Sequence, residues 1–204
     1  MNEYKIEIND FLKNTVAYIC NISKINNFRD AIEVIKNCNG KIITVGMGKN
    51  GHVARKISST FCSLKMPSCF LHPGEALHGD SGILSQNDML LVFSTSGETE
   101  EVVKLVQIAR NMGIYAIIVI TSHKNSKIKS FADITLDIGE IEEAGYLSLA
   151  PTTSTTVMMV IGDLMATLTA KEKRVTYLDF NIRHHNGYLA KKSMKKHLDE
   201  KDAS

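Results

Sequence analysis

Apolar and polar positions alternate in blocks along this chain, and their period switches between helical and extended. Ile8, Leu12, Ile19 and Ile22 recur at helical spacing; after a polar break at residues 23–27, so do Phe28, Ile32 and Ile35. Two N-terminal helices are expected within residues 1–38, closed by Asn39-Gly40. The period then changes, because Ile42-Ile43-Thr44-Val45 is a short β-rich run bounded by glycines, the mark of a strand covered on both faces. A helix face follows at Val53, Ile57, Phe61 and Leu64, then strands at residues 68–71 and 89–93. Val102, Val106, Ala109 and Met112 mark another helix, and residues 115–120 and 134–136 two more strands. A long helix carries Val157, Ile161, Leu164 and Leu168 on one face. Such alternation implies parallel strands joined by right-handed crossovers. The expected fold class is α/β: a three-layer α/β/α sandwich on a five-stranded parallel sheet, preceded by the N-terminal helices.

Composition narrows the class without changing it. A chain of 204 residues, 44% apolar and 23% charged, can bury a full core and is far from a disordered composition. Twenty-four basic against twenty-two acidic residues leave +2, too balanced for a dedicated nucleic-acid or membrane-surface binder, so a small molecule is the expected partner. Cys20, Cys38, Cys62 and Cys69 form no CxxC pair or Cys/His cluster and are expected as reduced, buried thiols, which favours the cytoplasm. The opening MNEYKIEIND is not leader-like, and no apolar stretch is expected to reach the ~20 residues of a spanning helix. Neither secretion nor membrane insertion is expected. With three prolines and no repeat, one domain is expected over residues 1–192, and residues 193–204 read as a polar, solvated tail that continues a lysine-rich run from Lys191.

In an open parallel sheet, ligands bind beyond the carboxyl ends of the strands, so the loops after Val45, Leu71 and Phe93 are the places to look. The first, Gly46-Met47-Gly48-Lys49-Asn50-Gly51-His52, offers free backbone N–H groups to an anion. It has neither dinucleotide nor Walker A spacing, which makes a dinucleotide the minor reading. The third, Ser94-Thr95-Ser96-Gly97-Glu98-Thr99-Glu100-Glu101, places hydroxyls and a glycine ahead of a helix start and suits a phosphate monoester. Simple N-capping is the bland alternative; it accounts for one hydroxyl rather than four in six residues.

Together with His72-Pro73-Gly74-Glu75-Ala76, His78-Gly79-Asp80, Glu143-Ala144 and the run Leu149 to Thr156, these loops resemble the sugar isomerase (SIS) family. Over about residues 5 to 192 the order of motifs resembles its D-arabinose 5-phosphate isomerase branch, which makes arabinose 5-phosphate from ribulose 5-phosphate for Kdo. The HPGEA, HGD and APTTSTT strings are specific to that branch, whereas the serine loop belongs to the whole superfamily. Many relatives carry two CBS modules after this domain; the chain is expected to be the catalytic core alone. SIS domains also occur in sugar-phosphate sensors, and a related hexulose or heptulose phosphate isomerase is a further alternative.

The chemistry can be set out independently. Converting a 2-ketose into an aldose needs a base that moves a proton between C1 and C2, a group that shuttles protons between the two oxygens, and a phosphate anchor, with no obligatory metal or cofactor. Glutamate suits the base and histidine the shuttle, and a lysine stabilises the enediolate oxygen. The resemblance places these roles on Lys49, Glu101, Glu143 and His184, with His78 near the substrate. It implies Glu143 as the C1/C2 base, His184 as the oxygen shuttle, Lys49 for substrate orientation or oxyanion stabilisation, and Glu101 as a loop organiser. Phosphate and substrate contacts fall on Gly48, Asn50, Glu75, Ser94, Thr95, Ser96 and Thr99. Taken singly, Lys49 and Glu101 are ordinary surface charges, His78 and His184 ordinary polar residues, and Glu143 part of a solvated acidic run with Glu140 and Glu142. His72 is a conceivable metal ligand that lacks partners at motif spacing, so no metal is expected. Two departures stand out: Asn50 replaces a usual serine, and His184-His185-Asn186-Gly187-Tyr188-Leu189-Ala190 replaces a pattern closer to HPGGSLG. By the same resemblance a homotetramer is expected, with His184 completing a neighbour's site and no nucleic acid or membrane as partner.

Overall fold

The computed structural model describes residues 3–123 and 125–202. It opens with α1 (Glu3–Asn21) and α2 (Phe28–Asn37). Five strands follow: β1 (Ile42–Gly46), β2 (Ser68–Leu71), β3 (Met89–Phe93), β4 (Ala116–Thr121) and β5 (Ile134–Asp137). All pair in parallel in the order β2-β1-β3-β4-β5. Between and after them lie α3 (Lys49–Ser63), α4 (Pro73–Ala76), α5 (Glu100–Asn111), α6 (Thr153–Glu172), α7 (Tyr177–Ile182) and α8 (Tyr188–Asp202). Every expected strand is present within a residue of its expected bounds; Tyr115 lies just before β4, and β1 gains Gly46.

Side chains alternate across the sheet and so build two cores. Ile42, Met89, Leu91, Phe93, Ile118 and Ile120 pack against α2, α3 and α6, through Ile35, Ile57, Phe61, Met158 and Ile161. Ile43, Val45, Leu90, Val92, Ile117 and Val119 face α5, through Val102, Leu105 and Val106. The central strands β1, β3 and β4 are buried along their whole length, as parallel strands covered by helices must be. The sandwich therefore has three layers.

Helix α6 corrects one expectation. It is twenty residues long, and an 18-residue stretch within it averages a hydropathy of 1.2, the length and composition of a membrane span. Its apolar residues are drawn inward instead, where Val157, Met158, Ile161 and Met165 are buried in the core. It runs parallel to α3 in close contact: a Cβ at Gly162 would stand 2.6 Å from Ile57 Cγ1, so only glycine lets the two helices approach this far.

The C-terminal segment adds a helix that the sequence did not signal: the polar, mostly exposed residues expected as a tail form α8 as far as Asp202. Asn181 Nδ2 donates to Ala190 O at 2.7 Å and to Ser193 Oγ at 3.1 Å, which docks α8 on α7. Helix α7 starts in a reciprocal capping box between Thr176 and Asp179. Lys65 Nζ lies 2.7 Å from Asp179 Oδ1. The Lys65 ammonium, followed by the Thr176 N–H, lowers the Asp179 carboxyl to a pKa of about 2. All four cysteines are free, but Cys20 and Cys62 are exposed rather than buried, because α1 and α3 turn these positions outward; Cys38 and Cys69 are half-buried. Helix α1 also leaves Ile6, Ile8, Phe11, Leu12 and Val16 exposed, alongside Tyr146, Leu147 and Leu149.

Candidate active site

With strand order β2-β1-β3-β4-β5, the chain winds outward in both directions from the β1/β3 pair, and the crevice beyond their carboxyl ends is the topological switch point. The two strands end level, Gly46 opposite Phe93. The glycine loop and the serine loop thus face each other across that crevice. The first turn is tight enough to need glycine: a Cβ on Gly46 would stand 2.6 Å from Asn50 O, and Gly48 has φ +57°. Neither Gly48 nor Thr99, the residues preceding α3 and α5, caps its helix with a side-chain hydrogen bond. Both N-termini keep positive ends directed at the crevice.

The capping alternative for the serine hydroxyls is therefore not what the structure contains. Ser94 Oγ accepts from Gly97 N at 3.1 Å and Ser96 Oγ accepts from Glu98 N at 3.2 Å. A hydroxyl that accepts keeps its own O–H, so both serines remain able to donate. The loop is braced from beneath. Thr95 O accepts from Ser122 N at 3.0 Å and from Ser122 Oγ at 2.9 Å, with His123 Nδ1 3.0 Å away. Gly97, at φ +63°, lies so close to Ser126 that a Cβ would meet its side chain at 2.5 Å. Glu98 Oε1 accepts from Lys127 N at 2.7 Å. Across the crevice, Asn50 Nδ2 donates to Thr95 Oγ1 at 3.2 Å and joins the two loops, while Asn50 Oδ1 is buried without a partner among the described residues. The substitution at residue 50 thus supplies a crosslink.

Glu143 departs from its acidic run. Glu140 and Glu142 are exposed, but Glu143 is half-buried. Its Oε2 accepts from Thr152 N at 2.8 Å and Ser154 N at 3.1 Å, so it caps α6, whereas Oε1 has no hydrogen bond among the described residues. Its position relative to Lys49 follows from the helix pair. Eight residues before Gly162 stands Ser154, and eight before its contact Ile57 stands Lys49, so the two N-termini are level at the same sheet edge. Lys49 is exposed there, with Glu101 half-buried in the first turn of α5. Glu75 and His78 are exposed beyond β2, on and just after α4. His72 Nδ1 is buried without a partner, and among the described residues no three His, Cys, Asp or Glu side chains cluster as metal ligands.

His184 is not brought to this edge. It stacks on Phe180 with ring centroids 3.9 Å apart, and its Nδ1 is 2.9 Å from Phe180 O. That places it beyond the far end of α6, whose 20 residues at 1.5 Å each span roughly 30 Å. Within one protomer, Lys49, Asn50, Ser94, Ser96, Thr99, Glu101 and Glu143 share the carboxyl edge and His184 lies at the opposite one. Sequence reasoning missed the residues that hold the site: Thr152, Ser154, Ser122 and Ser126. Thr152 and Ser154 stand inside the motif run Leu149 to Thr156 and act through backbone N–H groups, which residue type does not signal; Ser122 and Ser126 act on Thr95 and Gly97, almost thirty positions earlier.

A doubly wound α/β domain with an anion-ready cradle at its switch point belongs to the ligand-binding parallel-sheet proteins. More narrowly, the chain belongs to the SIS domain family, whose model matches residues 35–168. It is 41% identical over 179 residues to the arabinose 5-phosphate isomerase KpsF of Escherichia coli, covering 86% of this chain and 56% of that protein. It is 38% identical over 191 residues to the arabinose 5-phosphate isomerase KdsD of Francisella tularensis, covering 92% and 56%. The chain thus spans little more than half the length of these relatives. Among solved structures, Escherichia coli CFT073 c3406 in complex with arabinose 5-phosphate matches with TM-score 0.84 and 34% identity, covering 90% of this chain and all of that one. A Bacteroides fragilis protein described as a phosphosugar isomerase involved in capsule formation matches with TM-score 0.84 and 43% identity, covering 89% and 97%.

Proposed function

We propose that this domain is an aldose–ketose isomerase that interconverts D-ribulose 5-phosphate and D-arabinose 5-phosphate through an enediol. The observation that carries the reading is the crosslinked cradle at the switch point, with two serine hydroxyls left able to donate and two helix N-termini without a side-chain cap from Gly48 or Thr99. The names of the curated relatives and the sugar-phosphate complex of c3406 support the substrate. Phosphate sits on Ser94, Ser96 and Thr99 and on the backbone at Gly48–Asn50, with Thr95 and Glu75 as further contacts. Glu143 Oε1 takes a proton from C1 of the ketose and returns it to C2, while Oε2 stays fixed on α6. The matching transfer from O1 to O2 falls to His184, and Lys49 steadies the enediolate charge. Glu101 orders the loop and His78 borders the sugar.

A site built this way needs a second copy, because one protomer holds Glu143 and His184 at opposite sheet edges. The exposed apolar side chains of α1 and of residues 146–149, beside Glu143, supply a surface for it. A cytoplasmic homotetramer is the proposed form, with residues 1–192 as the isomerase unit and Kdo synthesis as the outlet. The test is proton NMR of ribulose 5-phosphate with metal-free protein in D₂O. Arabinose 5-phosphate carrying deuterium at C2 is the expected product, and absence of any aldose overturns the proposal.

A further inference from the structure

At the sheet edge opposite Glu143 and the serine loop, beside the half-site that holds His184, lies a groove of about 910 Å³, walled by the last turns of α6, by α7 and by α8. Its volume falls in the range of roughly 300–1,000 Å³ usual for small-molecule sites. Leu64, Ala170, Val175, Phe180 and Leu189 give it an apolar floor. Its rim is cationic: Lys171, Arg174, Lys192 and Lys196 stand against one acid, Glu200. Lys196 and Lys192 lie 5.2 and 5.7 Å from the ring centroids of Tyr177 and Tyr188. Lys171 and Arg174 form no ion pair among the described residues, which leaves two cations unneutralised beside an apolar surface.

The polar groups of the groove decide what kind of ligand fits. Its aliphatic hydroxyls already donate inside the protein, Thr167 to Asp163 O at 2.7 Å, Thr176 to Asp179 Oδ2 at 3.0 Å and Ser193 to Leu189 O at 2.9 Å, while the Tyr177 hydroxyl accepts from Lys196 Nζ at 3.5 Å. A sugar phosphate, with hydroxyls on every face, would lose water over this floor without regaining hydrogen bonds. A flat aromatic body suits the floor beside Tyr177 and Phe180, and an attached phosphate chain suits the rim. We propose that this groove is a second ligand site, for a nucleotide-type anion that combines an aromatic ring with phosphate. The site does not depend on the isomerase reading. It lies one side chain from His184, because Phe180 lines the groove and stacks on that imidazole.

Calorimetric titration of the full chain with magnesium-free ATP, beside tripolyphosphate and adenosine, tests this. ATP is expected to bind at least about tenfold more tightly than either fragment, and Arg174→Glu with Lys192→Glu to weaken it by at least about tenfold. Lys171→Glu alone is expected to weaken it in the same direction. Addition of ATP is expected to shift the His184 imidazole resonances, a readout independent of turnover. Tripolyphosphate binding as tightly as ATP would mean a nonspecific polyanion surface and overturn the proposal. So would ATP affinity that is lost in Ser96→Ala, which places the nucleotide in the serine cradle. A change of assembly size in the charge-reversed protein by light scattering would assign the groove to a contact between copies and likewise overturn it.

Discussion

Glu143 has two jobs that one substitution separates. Its Oε2 caps α6 through Thr152 N and Ser154 N, and its Oε1 is the proposed base. In Glu143→Gln the amide oxygen still accepts both N–H bonds, so the loss to folding is the negative charge at the helix N-terminus. That interaction is worth about 0.3–1 kcal/mol, and half-exposure places it at the lower end. For a domain of this size the shift in Tm is about 1–4 °C. Glu143→Ala removes the acceptor as well and costs about 1–2 kcal/mol, or about 2–8 °C. Catalysis scales differently, because loss of a general base lowers kcat by about 10²–10⁴-fold. The assay pairs thermal scans with initial rates of aldose formation and calorimetric affinity for the sugar phosphate. The expected pattern for the Gln variant is a nearly unchanged Tm, retained affinity and a kcat at least about 10²-fold lower. Full turnover in that variant refutes the base assignment. A loss of rate confined to the Ala variant and tracking its Tm would reduce Glu143 to a helix cap.

Three further outcomes are open to measurement. Ser96→Ala should weaken binding of phosphorylated sugars by about tenfold or more, since a hydrogen bond to a charged group is worth about 1.5–3 kcal/mol, and leave the dephosphorylated sugar unaffected; equal losses for both would refute the phosphate contact. Burial of Asp88 opposes its ionisation, but Lys41 N and Nζ and Ser85 N outweigh it and hold its pKa below the ordinary value of 3.8. Its stabilisation is therefore complete above about pH 4 and fades as pH falls through the lowered folded value; a wild-type advantage over Asp88→Asn that stays constant in urea melts from neutral pH into strong acid contradicts this. Mixing the inactive variants Glu143→Gln and His184→Asn under subunit exchange should restore activity at about a quarter of the sites, and no recovery means that His184 does not complete a neighbour's site.

The central strands were legible because nothing interrupts them: Ile42–Val45, Met89–Phe93 and Ala116–Ile120 are buried on both faces, so apolar runs and strands coincide. Helices α7 and α8 were not. The six residues of α7 are held by a capping box and an ion pair to Lys65, over a hundred positions away, and α8 buries only Ser193, leaving no apolar stripe to read. At the site, residue types were readable and relations were not. The Asn50–Thr95 bond joins residues far apart in the chain, and the capping by Glu143 depends on a loop that returns to Thr152. The remoteness of His184 is set by where α6 begins, and sequence spacing carries no trace of that.

Helix α6 acts as a rod with one half of the proposed site at each end: the Glu143 end at the carboxyl edge and the His184 end roughly 30 Å away. Such a rod imposes a condition on symmetry. Two copies related by a dyad, lying head to tail along each other, complete two sites at once and close the assembly. A repeated one-way stacking also completes sites, but unless its rotation closes into a ring it leaves an unmatched half at each end and grows into a filament. The separation of the two half-sites therefore favours closed assemblies, of which the dyad pair is the smallest, and in that pair it sets the distance between active sites to about the span of the helix.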